Sequence, residues 1–307
     1  MQLTADWLPE FIRLTGAHLD SDQRAARLER LLARLATDPT LPTRMRILPR
    51  GASPASGAAA AVFAMPWYGE TWQAHIHLDP DAPPELAQLA ALLTEWEAGL
   101  AGLDPAPGAL LCRLELPAPA PLEEALQNAG WSSVGGRVEF RTPVAELPPE
   151  LDDSPFTWHA LDDYGREAAA ALFERAGAGP EWEESDDAAA LIEGYLAEEG
   201  VYHEPDCIQI GTIAGEGAAF LCAQADREGG WCTITFLGIV PERRGQGLGT
   251  HVHRRGFAML RDQGGRSYHG GTSADNAAMR RLFERHGCRP LRELREWRRE
   301  PNPTPQP

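Results

Sequence analysis

The chain has 307 residues, 43% of them apolar and 24% charged. That length predicts about two domains, and the composition excludes a wholly disordered polypeptide. Its 28 basic residues are all arginine and face 45 acids, for a net charge of −17; this argues against a bulk polyanion-binding role, and the absence of lysine excludes Schiff-base chemistry and a P-loop lysine.

The first twenty residues carry Asp6, Glu10 and Arg13 rather than the charged-then-apolar order of a leader. The longest apolar stretch, around 58–65, is too short to span a bilayer. Five cysteines (Cys112, Cys207, Cys222, Cys232 and Cys288) form no CxxC pair, which reads as reduced, buried side chains. The expectation is a soluble, cytoplasmic protein with no nucleic-acid or membrane partner and no metal; a homodimer stays open.

In chain order, 3–14 and 25–35 have helical spacing of apolar residues. Strand-like runs follow at 44–48, 60–65 and 72–78, then a long amphipathic helix at 84–100. A strand at 109–116, a helix at 122–130 and a strand at 136–141 end the first half. Residues 143–155 are rich in proline and acids, which predicts an exposed linker between domains at 1–145 and 155–299. The second half reads as a strand at 156–161, helices at 164–176 and 188–199, and three antiparallel strands at 207–214, 218–225 and 231–240. A glycine-rich loop at 243–249 then opens a helix at 250–263. A strand at 266–271, a helix at 276–286 and a strand at 291–298 follow, before a proline-rich tail from 300 on that predicts disorder.

Charge is divided sharply within the second half. Residues 151–228 hold 3 Arg and 19 acids, whereas 229–307 hold 14 Arg and 7 acids. Solvated surface variation accounts for this, and so does a site with a cation on its acidic side and a polyphosphate on its basic side. The loop Arg243-Arg244-Gly245-Gln246-Gly247-Leu248-Gly249 favours the second reading. It aims backbone N–H groups and a positive helix end at one point. It is neither a Walker loop nor a GxGxxG fingerprint.

The segment 237–249 (LGIVPERRGQGLG) resembles the acetyl-CoA signature of the GNAT acetyltransferase superfamily, [QR]xxGx[GA], with Arg244, Gly247 and Gly249 at its fixed positions. The element order of 155–299 is similar to that fold, and Asn276 stands at the family's asparagine. The trailing strand–helix–strand–helix–strand order of the first half looks like a degenerate repeat. The resemblance therefore implies an α/β (α+β) chain of two GNAT-like domains, each a mixed, mainly antiparallel central sheet flanked by helices. Between 78 and 85 the first half has two acids and neither glycine nor arginine, so that repeat is expected not to bind acetyl-CoA.

The implied activity is transfer of an acetyl group from acetyl-CoA, as cosubstrate, to an amine by direct attack on the thioester. The implied cofactor residues are Leu237, Gly238, Ile239, Arg243, Arg244, Gly245, Gln246, Gly247, Leu248, Gly249, Thr250, Asn276 and Phe283. The backbone of Leu237 and Ile239 would pair with pantetheine, and the Ile239 N–H would stabilise the oxyanion. Two departures stand out. The tyrosine that protonates the leaving thiolate in many relatives is Phe283 here, and the usual base glutamate is Thr233, with Thr235 next on the same face. Candidate bases are Glu184 and His203. Glu181, Trp182 and Glu183, together with Thr233 and Thr235, form a candidate pocket for a small cationic amine or a peptide N-terminus. Alternatives are an acetyl-CoA-binding sensor without catalysis and a mononucleotide or phosphosugar binder.

Overall fold

The computed structural model describes residues 1–16, 20–68, 70–178, 188–197, 207–226 and 230–300. The chain forms two compact units, Met1–Gly135 with Leu294–Pro307, and Gly136–Glu293. Each contains a mixed, mainly antiparallel sheet flanked by helices.

In the first unit, α1 (Leu8–Thr15), α2 (Ser21–Thr37) and α3 (Leu41–Arg44) precede β1 (Met45–Pro49), β2 (Ala58–Tyr68) and β3 (Thr71–Leu78). Then come α4 (Leu86–Leu100), β4 (Ala109–Glu115) and α5 (Ala120–Asn128). Asp20 fixes the start of α2 by a capping box: its carboxylate accepts the Gln23 N–H at 2.9 Å, and the Gln23 side chain accepts the Asp20 N–H at 3.1 Å. Strands β1, β2 and β3 pair antiparallel, and β3 runs parallel to β4.

The chain leaves the first unit along β5 (Ser132–Pro143). The second unit holds β6 (Thr157–Ala160), α6 (Leu161–Tyr164), α7 (Arg166–Gly177), α8 (Ala188–Ala197), β7 (Ile208–Ile213), β8 (Glu216–Ala225) and β9 (Trp231–Ile239). It continues with α9 (Gly249–Asp262), β10 (Ser267–Ser273) and α10 (Ala277–Arg285), and β11 (Pro290–Arg299) closes the chain. The sheet order is β5-β10-β9-β8-β7-β6, with β9 and β10 the parallel pair. A core of Val138, Phe140, Leu221, Cys232, Val252, Phe257, Leu260, Tyr268 and Phe283 joins β5, β8, β9, β10, α9 and α10. Each large apolar side chain buried there stabilises the unit by roughly 1.5–3 kcal/mol.

The unit borders differ from those the linker composition suggested. Residues 143–155 are not free: Val144 and Leu147 are buried in the second unit's core. The Val144 N–H donates to the Arg266 carbonyl at 2.9 Å, and Arg261 donates to the Leu147 and Pro148 carbonyls. Prolines and acids mark the chain's surface there, while two apolar residues anchor it. The terminal strand also departs from its expected place: from Leu294 onward β11 pairs antiparallel with β4 of the first unit, where Trp297 is buried. Local periodicity identifies a strand and is silent about its partner. The tail 301–307 lies outside the described residues.

All five cysteines are buried and none is in a disulfide, and burial pushes the thiols of Cys112, Cys232 and Cys288 up to about 12. No helix among the described residues is long and apolar enough to cross a membrane.

Candidate functional site

Strands β9 and β10 pair only at Trp231–Ser267 and Cys232–Tyr268. Beyond those two pairs the strands part, and one edge of β9 is left open. On the other edge, the Val240 N–H donates to the Ala218 carbonyl at 3.0 Å. Hydrogen-bonded and non-hydrogen-bonded pairs alternate along an antiparallel ladder. The pairs Ile239–Ala219 and Leu237–Leu221 are therefore of the non-bonded kind, and the N–H and C=O groups of Leu237 and Ile239 point away from β8 into the opening. This backbone edge is the one the sequence singled out.

A bulge sets the side chains of this strand. Between Cys222 and Ala223 the register skips Thr235. Leu237 and Ile239 pack on the same core as Cys232 and Ile234, which strict two-residue alternation forbids. The extra residue corrects the parity. Phe236 falls on the other face, against Phe173 and Phe220, and Thr235 donates to the Gln224 side-chain oxygen at 2.7 Å. Gly238 is required by space: a Cβ there would lie 2.7 Å from the Ala176 carbonyl at the end of α7.

After β9 the chain makes one 3-10 turn, Pro241–Arg243, and enters the glycine loop. Gly245 and Gly247 have φ of 75° and 79°, a left-handed conformation that glycine adopts without strain. Leu248 is the N-cap of α9, and no side chain caps that helix. The helix start therefore presents its amides and positive dipole end to solvent, the arrangement that favours an anion. Arg244 holds the loop in place, its Nε donating to Ile239 O at 2.8 Å and its Nη2 to Ala176 O at 3.1 Å. Sequence reading assigned this arginine to phosphate; in the fold two of its N–H groups tie β9, α7 and the loop together. Gln246 donates to the Glu242 carbonyl at 3.3 Å. Arg243 is 3.5 Å from Glu216.

The opening is a groove of about 940 Å³. Its lining includes Leu237, Gly238, Ile239, Arg243, Arg244, Gly245, Gly247, Leu248, Gly249, Thr250, Asn276 and Phe283, the predicted set apart from Gln246. Thr235 lines it as well, whereas Thr233, paired with Gln224, does not. Asn276 caps α10, its side-chain oxygen accepting the Met279 N–H at 2.8 Å. Phe283 is buried and stacks on Phe140 with ring centroids 4.2 Å apart.

Sequence reading missed Arg281 and Arg285, which line the groove from α10. Their i, i+4 spacing puts them on one helical face, a signal present in the sequence but common to any solvated helix. Arg285 donates to Thr250 Oγ1 at 3.2 Å. It also missed Tyr268 and Thr272, brought to the groove by β10. Among the described residues Arg243, Arg244, Arg281 and Arg285 face a single lining acid, Asp275, so this part of the groove suits a polyanion. The candidates Glu181, Trp182, Glu183, Glu184 and His203 lie outside the described residues. Among the described residues no group of three or more His, Cys, Asp or Glu side chains could hold a metal ion.

Residues 167–288 match the model of the Acetyltransferase (GNAT) family. Solved structures share the fold at low identity. A GCN5-related N-acetyltransferase from Sphaerobacter thermophilus is 15% identical with a TM-score of 0.72, over 98% of this chain and 95% of that one. One from Kribbella flavida is 16% identical with a TM-score of 0.54, over 80% and 88%. A tandem GNAT protein from the clavulanic acid biosynthesis pathway is 14% identical with a TM-score of 0.52, over 81% of each chain. No curated protein matches the chain significantly. The family match lies within the second unit, and the fold of that family supports acyl transfer in general.

The donor set fits acetyl-CoA, the cosubstrate this family generally uses. An uncapped helix start and four arginines match the charge of a pyrophosphate, and an unpaired strand edge matches an amide-bearing arm.

Proposed function

We propose that the chain is an N-acetyltransferase that binds acetyl-CoA in the second unit's groove and passes the acetyl group directly to an amine. The observation that carries this reading is the meeting, in one groove, of the open β9 edge at Leu237 and Ile239 with the uncapped start of α9. Acetyl-CoA supplies an activated thioester. The residues of the chain bind and orient it: the amides of 245–249 with Arg243, Arg281 and Arg285 take the phosphates. The backbone of Leu237 and Ile239 takes the arm. The Ile239 N–H, aimed into the opening, stabilises the oxyanion that forms as the amine attacks. Arg244 keeps that donor in place by holding Ile239 O.

The acceptor in this reading is a small cationic amine or a peptide N-terminus. Glu181, Trp182 and Glu183 attract it, Thr235 borders its path, and Glu184 or His203 removes its proton. The first unit, with acids where the second has its glycine loop, serves as scaffold without a cofactor of its own.

The test is release of free CoA thiol from acetyl-CoA, recorded against a panel of polyamines, aminoglycosides, amino acids and short peptides. Amine-dependent release that falls roughly 100-fold in Gly247→Val supports transfer. Acetyl-CoA binding without release for any amine favours the sensor, to which Thr233 and Phe283, standing where relatives carry base and acid, give specific support.

A further inference from the structure

One buried polar chain beside the groove has no role in the reading above. Tyr268 is the last residue of β10 that pairs with β9, so it stands at the apex where the strands part. It lines the groove while only 1% exposed. Its hydroxyl is 3.2 Å from Nε2 of His253 on α9, and Nδ1 of His253 is 3.0 Å from Nδ1 of His286. Nε2 of His286 is buried without a hydrogen-bond partner among the described residues.

Three neutral groups with two contacts can be protonated in two ways, because a neutral imidazole has one N–H and one bare nitrogen. If Tyr268 donates to His253, then His253 donates to His286, and the orphaned Nε2 of His286 is a buried N–H. In the opposite direction His286 donates to His253 and His253 Nε2–H donates to the Tyr268 oxygen; the orphan is then a bare ring nitrogen. Each direction leaves one buried donor unpaired, the His286 Nε2–H in the first and the Tyr268 O–H in the second. The first direction strands its donor on His286, whereas the second strands the phenolic hydrogen, which an acceptor in the groove can take; a ligand acceptor there selects the second direction.

Gly270 shows where that hydroxyl lies. A Cβ on Gly270 would come 2.7 Å from the Tyr268 hydroxyl oxygen and 2.6 Å from Cε1 of Phe283. The hydroxyl and the edge of the Phe283 ring thus converge on the one spot that a side chain at Gly270 would fill. Position 283 is where many relatives carry a hydroxyl for the leaving thiolate. Here the neighbouring strand brings one to the same place.

We propose that Tyr268, oriented by His253 and His286, donates its hydroxyl hydrogen to the departing sulfur when a thioester is cleaved in this groove. The inference rests on the acetyl-CoA reading of the site. The amine forms the C–N bond, the C–S bond breaks with its electron pair going to sulfur, and Tyr268 stabilises the thiolate by a charge-assisted hydrogen bond. The surplus proton of the amine passes through the base, Glu184 or His203, to water, and the thiolate takes one from water. Burial raises the Tyr268 phenol well above its usual value, with the nearby Cys288 and Cys232 thiols adding to the effect. It stays protonated and keeps its donor role. His253 and His286 are positioning residues.

Calorimetric titration with CoA and with acetyl-CoA, at pH 7 and pH 9.5, tests this without an acceptor. The quantity read is the ratio of the two affinities, in which pH effects common to both ligands cancel. The groups facing Tyr268 do not titrate in that window. Cys232 on β9 and Cys288 after α10 are pushed up to about 12. Burial lowers His253 on α9 and His286 below their usual values, so both are neutral. The lining also holds Asp275, Arg243, Arg244, Arg281 and Arg285. Only the CoA thiol, with a pKa of about 8.5, ionises.

Wild type gains roughly tenfold or more in CoA affinity relative to acetyl-CoA on going to pH 9.5. Tyr268→Phe loses that gain and binds acetyl-CoA as before, and Tyr268→Phe/Phe283→Tyr recovers part of it. Should Tyr268→Phe not fold, the relay is read instead: His286→Asn, whose amide can still donate, keeps the gain, and His286→Leu reduces it. No gain in wild type, or an equal gain without the hydroxyl, overturns the assignment of Tyr268 alone. Binding of neither ligand by wild type brings down the groove reading together with it.

Discussion

In the first unit β3 and β4 run parallel over four pairs, Thr71–Ala109 to Ala74–Cys112, and in the second β9 and β10 do so over two. Both pairs then part, and a helix follows the first strand of each. The connecting loops differ completely. After β9 come Gly245, Gly247 and Arg244 and a helix without a side-chain cap. After β3 comes Asp79, 3% exposed, which accepts from Arg13 at 2.9 Å, Arg50 at 2.7 Å and the Asp81 N–H at 3.1 Å. The next helix starts behind Glu85. One opened pair of strands thus carries a cationic, amide-lined groove, and the other is closed by an ion network at a negative helix start, which disfavours a phosphate. Strand geometry creates the opening; the loop decides whether an anion can use it.

The largest expected effect is on the glycine loop. Gly247→Val forces a β-branched residue to φ near 79°, and acetyl-CoA affinity falls roughly 100-fold, while the strain lowers the melting temperature by only a few degrees. A wild-type affinity would break the contrast between the loops.

The histidines of the first unit give the next effect. Burial, helped by Arg113 and Arg27, lowers His75 to about 4. Between pH 6.5 and 4 the unfolded chain therefore binds a proton that the folded chain refuses. The stability involved is fully present above pH 6.5 and lost as pH falls toward 4, by about 2–3 kcal/mol. His75→Phe should reduce the difference between the unfolding free energies from urea titrations at pH 7.5 and 4.5 by that amount; an unchanged difference contradicts it.

Asp79→Asn should cost about 2 kcal/mol, less than a fully buried pair because both arginines are partly exposed. Burial raises the Asp79 carboxyl, but Arg50, the Asp81 N–H and Arg13 outweigh it and the net shift is downward. Its contribution is present above about pH 4 and lost below. Acetyl-CoA affinity should not change, and a change would show that the two loops are not independent. The smallest effect is that of Arg244→Ala, which removes the bonds to Ile239 O and Ala176 O. Affinity falls roughly tenfold, and Arg244→Lys does not restore it, because one ammonium cannot reproduce a planar fork between two carbonyls.

Much of this was legible in the sequence because it is local. Glycines 245 and 247 between a strand and a helix announced the loop, Asn276 announced the start of α10, and alternation found β7, β8 and β9. The pairing of Leu294–Arg299 with β4 was not legible, since it joins segments about 180 residues apart and periodicity carries no partner. Composition misread 143–155 because two buried residues, Val144 and Leu147, outweigh its prolines and acids. Arg244 read as a phosphate ligand because sequence shows its charge but not the carbonyls that occupy it. The Tyr268–His253–His286 chain joins a strand, a helix and the residue after another helix, and no spacing rule connects them.

The most direct measurement is calorimetric titration of the chain with acetyl-CoA, read for stoichiometry. The contrast between the loops requires one site per chain, abolished by Gly247→Val and indifferent to Asp79→Asn. Two sites per chain, or a single site that survives Gly247→Val, would contradict it.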